Sequence, residues 1–226
     1  MSLSIEKCFV SVVAFLSLLG FFPHWSHAQS LPDLTIDASR LASSITMKRQ
    51  VFKSTDCAVQ EGCVGAAGKR QLMKFDVAIP NQGTADFFLG SPLNNRLFLY
   101  SPCHGHYHLI GFASYELLDQ KGLTVLVGRK QAFCLEDSTQ IDPMAAPAKY
   151  TCSNQGISVG WSDVYGSYLD CQWLDVTGVP SGRYTLKVVV NAAAVDAAKA
   201  GTPVDTNLQE SNYKNNTATA FVTIKK

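Results

Sequence analysis

Short stretches in which every second residue is apolar, separated by turn-forming clusters, constrain this chain most. Phe75, Val77 and Ile79 would share one face of an extended segment, as would Tyr184, Leu186, Val188 and Val190, and Thr217 to Lys225 alternates similarly. Successive side chains of a strand point to opposite faces, so a period of two marks strands buried on one side. Pro80-Asn81-Gln82-Gly83, Asp119-Gln120-Lys121-Gly122 and Pro180-Ser181-Gly182 supply the residues that chain reversals require. Two segments depart from the pattern. Ala192 to Gly201 is alanine-rich and reads as a short helix between the last two strands. Asp137 to Val164 carries Pro143, Pro147, Gly156 and Gly160 with little periodicity, and reads as a long irregular loop.

The cysteines say how such loops are held. Lys7 precedes the apolar run Cys8 to Phe22, and small residues follow at Ser26 and Ala28. Residues 1–28 therefore read as a signal peptide cleaved after Ala28, the run being short for a membrane span. Outside it stand Cys57, Cys63, Cys103, Cys134, Cys152 and Cys171. An even number in an exported chain implies disulfides, and the lack of a C-x-x-C spacing argues against a zinc ribbon or a thioredoxin-like motif. The fold expected for residues 29–226 is an all-β sandwich with long disulfide-stapled loops and little helix. Lys and Arg number 19 against 18 Asp and Glu, and no basic stripe points to nucleic acid. Neither a nucleic-acid nor a membrane partner is expected, and the location expected is secreted, extracellular or, in a bacterium, periplasmic.

Cys103-His104-Gly105-His106-Tyr107-His108 holds three of the five histidines of the chain. At i, i+2 and i+4 they would share a face of an extended segment, and imidazole suits copper and zinc. In a regular strand the outer two would lie about 13 Å apart at Cα, so the chain must bend to bring them to one ion. Gly105 permits the bend.

The segment Cys103 to His108, followed by Phe112-Ala113-Ser114-Tyr115-Glu116-Leu117-Leu118-Asp119, resembles the copper-binding region of lysyl oxidases. The resemblance extends to Pro32-Asp33-Leu34, Asn81 to Phe87, Gly128-Arg129-Lys130-Gln131-Ala132-Phe133-Cys134-Leu135-Glu136-Asp137, and Asp163-Val164-Tyr165-Gly166 through Asp170-Cys171-Gln172-Trp173. It makes residues 29–226 a lysyl oxidase-like catalytic domain. It implies copper on His104, His106 and His108, and a lysine tyrosylquinone cofactor built from Lys130 and Tyr165. Read alone, Lys130 would be an ordinary lysine after a strand and Tyr165 an ordinary core tyrosine. The implied activity is oxidation of the ε-amine of a lysine-containing protein or peptide, or of a small primary amine, by dioxygen. Such a reaction needs a carboxylate base, and Asp163 and Asp170 flank Tyr165 in sequence without either being selected by it.

The resemblance also implies the pairings Cys57 with Cys103, Cys63 with Cys171 and Cys134 with Cys152. Two further family cysteine positions are Gln140 and Trp161 here, as joint loss of one disulfide would leave them. The competing reading of the histidine cluster is an exported β-sandwich that binds copper or zinc without turnover, and a zinc hydrolase finds no H-E-x-x-H motif to support it.

Overall fold

The alternating segments form strands in the computed structural model, which describes residues 29–128 and 133–226. The strands are β1 (Thr46–Phe52), β2 (Gly68–Lys74), β3 (Val77–Pro80), β4 (Phe87–Gly90), β5 (Phe98–Ser101), β6 (His106–Leu109), β7 (Ala113–Leu118), β8 (Thr124–Val127), β9 (Thr139–Gln140), β10 (Gln155–Ile157), β11 (Trp161–Tyr165), β12 (Trp173–Asp175), β13 (Gly182–Val190) and β14 (Thr217–Ile224). Among the described residues, helix is confined to α1 (Ala38–Ser44), α2 (Cys57–Gln60), α3 (Ala192–Ala200) and one 3-10 turn. The alanine-rich segment is α3, closed by Gly201 in the left-handed conformation that a helix C-terminus favours.

All strand pairings among the described residues are antiparallel. The largest sheet runs β14-β13-β7-β8, and smaller sheets run β1-β2-β12, β3-β11-β9, β10-β4 and β5-β6. Ala218, Ala220, Val222 and Ile224 of β14 point inward with Leu186, Val188 and Val190 of β13. They share one core with Val77 and Ile79 of β3, Ile157 of β10 and Leu109 of β6. The large sheet thus covers the smaller ones, and burial of one face explains the period of two. No helix among the described residues is long and apolar enough to cross a membrane.

Two expectations need adjustment. The run through Phe75 is not one strand, because Phe75 and Asp76 separate β2 from β3. Asp76 turns the chain by accepting the Ser167 backbone N–H at 2.7 Å and pairing with Arg40 at 3.0 Å. The segment from Asp137 to Val164 also contains β9, β10 and most of β11. These strands are too short to establish a period, and β11 buries the polar Ser162 and Asp163 side by side, which hides its alternation. Asp137 braces the segment by accepting from the backbone N–H groups of Lys149, Tyr150 and Ser158.

Disulfides join Cys57 to Cys103, Cys63 to Cys171 and Cys134 to Cys152, with Cα separations of 5.7, 5.2 and 5.1 Å. These are the pairings the resemblance implied. Each contributes about 2–4 kcal/mol by restricting the unfolded chain. The first ties the residue before His104 to α2, and the third holds the strand-poor chain after Phe133.

Candidate functional site

The histidine segment folds as a hairpin. In the ladder of β5 with β6, Ser101 faces His106 and Leu99 faces His108. The connection is tight: the backbone N–H groups of His104 and Gly105 both donate to the Ser101 carbonyl, at 3.2 and 2.8 Å. Gly105 has φ +70°, which an L side chain rarely adopts, and this is where the chain bends. His106 and His108 share a face of β6, while the bend swings His104 back towards them. Ring centroids lie 5.9 Å apart for His104 and His106, 5.3 Å for His104 and His108, and 4.8 Å for His106 and His108. The three rings are thus clustered at centroid separations of the order found for imidazoles that share one ion, roughly 4.5–6 Å, while the ligand atoms that lie within 4.8 Å of one another join His104 to Glu61 and Cys171.

Facing the hairpin is β11, held between β3 and β9. Asp163 and Tyr165 are two residues apart and lie on one face, both buried. The Asp163 carboxylate accepts from Ser138 Oγ at 3.0 Å and from the Glu136 backbone N–H at 3.4 Å. Burial pushes its pKa up to about 7, against the opposing effect of these hydrogen bonds. Burial, and then the nearby Asp163 charge, hold the Tyr165 phenol well above its ordinary pKa. The Asp163 carboxylate is the neighbour of the Tyr165 hydroxyl: their interaction raises the phenol and lowers the carboxyl, although the contact falls short of good hydrogen-bond geometry. Tyr165 and Asp163 together line a cavity.

That cavity, of about 260 Å³, is lined by His104, His106 and His108 on one side and by Asp163, Tyr165 and Phe133 on the other. Phe133 bridges the two walls: its ring stacks on Tyr165 at 4.6 Å and lies 6.3 Å from His108. Glu136 and Asp170 add carboxylates, so the lining favours a cationic guest. Exposed Tyr168 stands at the rim. A larger cavity of about 660 Å³ lies beside β13 and β14 and contains no histidine.

The structure therefore brings His104, His106, His108 and Tyr165 to one cavity. Lys130 falls in 129–132, outside the described residues. Three further side chains belong with the site: Asp163, whose sequence position was evident but whose burial was not, together with Phe133 and Glu61. Glu61 receives a hydrogen bond from His104 Nε2 at 2.8 Å, and no motif around it signals this. Gln140 and Trp161 are direct partners across β9 and β11, the placement expected of positions that could carry a disulfide.

Residues 32–225 match the sequence model of the lysyl oxidase family. Lysyl oxidase homolog 2 of Gallus gallus is 34% identical over 205 residues, which cover 84% of this chain and 24% of that protein. Lysyl oxidase homolog 1 of Homo sapiens is 37% identical over 178 residues, covering 73% and 30%. The chain thus spans less than a third of the length of these relatives.

Proposed function

The chain belongs to the lysyl oxidase family, and on that premise we propose that it is a secreted, copper- and quinone-dependent amine oxidase. It would convert a primary amine, such as the ε-amine of a lysine in a protein or peptide, with dioxygen and water into aldehyde, ammonia and hydrogen peroxide. His104, His106 and His108 would hold copper, and Lys130 and Tyr165 would be joined as lysine tyrosylquinone. When bound, copper with dioxygen supplies the oxidising power, and the quinone supplies an electron sink for carbanion chemistry that protein side chains lack. The observation that carries the reading is the clustering of three imidazoles on a cavity that is also lined by the buried Tyr165 and Asp163.

The remaining roles follow from the cavity wall. Glu136 and Asp170 attract the substrate ammonium towards the cavity. Asp163 takes the proton from the carbon next to the amine, because burial keeps its basicity near neutrality while Ser138 fixes its position. Phe133, stacked on Tyr165, keeps that side of the ring from water.

The test is to load the disulfide-bonded protein with copper in air, then record a quinone absorption band and hydrogen peroxide release with a lysine-containing peptide. Both are expected. Stoichiometric copper binding with neither signal would overturn the oxidase reading in favour of a metal-binding module.

A further inference from the structure

Glu61 is 43 residues from His104 in sequence but touches it in space. It follows α2 directly, and its backbone N–H donates to the Cys57 carbonyl at 2.8 Å. Cys57 is bridged to Cys103, the neighbour of His104. The carboxylate then spans the hairpin turn: one oxygen accepts from the Ser101 hydroxyl, and the other from His104 Nε2 at 2.8 Å. Ser101 in turn accepts the two backbone N–H groups that shape the turn. Disulfide, carboxylate and turn therefore fix one imidazole from three sides.

We propose that Glu61 is the positioning residue of the metal centre, selecting the tautomer of His104 so that this ring meets copper through Nδ1. The inference rests on the copper reading above. An ionised carboxylate only accepts hydrogen bonds, so Nε2 carries the proton. Nδ1 is then the one lone pair His104 offers a metal. A carboxylate on the far nitrogen of a ligating histidine also makes that ligand more basic and holds its plane. The sulfur of Cys171 lies within 4.8 Å of the Glu61 and His104 ligand atoms. Its bond to Cys63 removes it as a thiolate competitor.

The test uses the folded, disulfide-intact protein labelled with nitrogen-15 in histidine and loaded with zinc, a diamagnetic probe for the site. Two-bond proton–nitrogen spectra are expected to show His104 metallated at Nδ1 and protonated at Nε2. Glu61→Ala should lower copper affinity about 10–100-fold in a chelator competition. Glu61→Gln, which keeps a neutral acceptor for Nε2–H, should fall between that variant and the parent. All three should retain the Cys57–Cys103 bridge. Metallation of His104 at Nε2, which would require Glu61 to leave or to become a ligand itself, would overturn the proposal, as would unchanged copper affinity in Glu61→Ala. Histidine signals that respond to neither metal would instead defeat the copper reading on which it rests.

Discussion

The Phe133 ring stacks on the Tyr165 ring at 4.6 Å, with 30° between their planes, and so forms one wall of the cavity that the histidines close from the other side. Phe133 is only partly buried, so truncation should cost less than the ~3–5 kcal/mol typical of an enclosed phenylalanine. Its larger effect should be local. Phe133→Ala should fold, bind copper and admit water to Tyr165, lowering the yield of quinone per copper. Wild-type quinone yield in this variant would show that the stacked ring has no protective role.

Lys130 and Tyr165 make separable contributions under the oxidase reading. Lys130→Arg keeps a positive charge but removes the primary amine, and Tyr165→Phe removes the phenol. Neither substitution replaces an imidazole. Both variants should therefore take up copper like the parent, while peptide mapping should find no covalent link between the two segments and no peroxide should be released. Activity in either would exclude the cofactor assigned to that pair.

Asp163 and Glu210 give stability a defined pH dependence in the copper-free protein. Burial raises each carboxyl to about 7, against about 4 in an unfolded chain. Between those values the folded state binds more protons than the unfolded one, so stability falls as pH rises from about 4 through 7. Asp163→Asn removes one of the two contributions and should flatten that decline in urea titrations at a series of pH values. Because Asp163 is also the proposed proton acceptor, the same variant should lose about 10²–10⁴-fold in kcat with little change in KM. A decline as steep as that of the parent would remove Asp163 from the pH account, and an unchanged kcat would remove it from the chemistry.

What could be read from the sequence follows the range of the interactions involved. His104 to His108 lie within five residues and the bend falls on a glycine, so their convergence was legible. β13 and β14 were legible because every second residue of each faces the core, as Leu186, Val188 and Val190 do in β13 and as β14 does along its whole length. Glu61 was not, since its approach to His104 depends on a disulfide that closes 46 residues of chain. Asp163 was visible beside Tyr165, but an acidic residue in an aperiodic segment reads as solvated. Its burial depends on β11 lying between β3 and β9. The same sandwiching of very short strands turned an apparent loop into part of a sheet.

Gln140 and Trp161 provide a final test, of the segment that frames the cavity. They face each other in the ladder of β9 with β11, a geometry in which Cα atoms are about 4.5–5.5 Å apart. A disulfide spans about 4.4–6.8 Å. Trp161 is not idle where it stands: its Nε1–H donates to the Ala146 carbonyl at 2.8 Å, and its ring packs against the main core. Trp161→Cys alone should therefore destabilise the protein, and the reduced Gln140→Cys, Trp161→Cys double variant should be destabilised similarly. Oxidation should then form the new bridge without displacing the three existing ones. Closing a loop of about 20 residues should raise stability over the reduced double variant by about 3 kcal/mol, measured by urea unfolding with and without selective reduction. Copper affinity should not change, since none of the three histidines lies between these positions. A double variant whose two new thiols stay free under oxidising conditions, or form bridges only to other cysteines, would show that β9 and β11 do not hold these positions opposite each other.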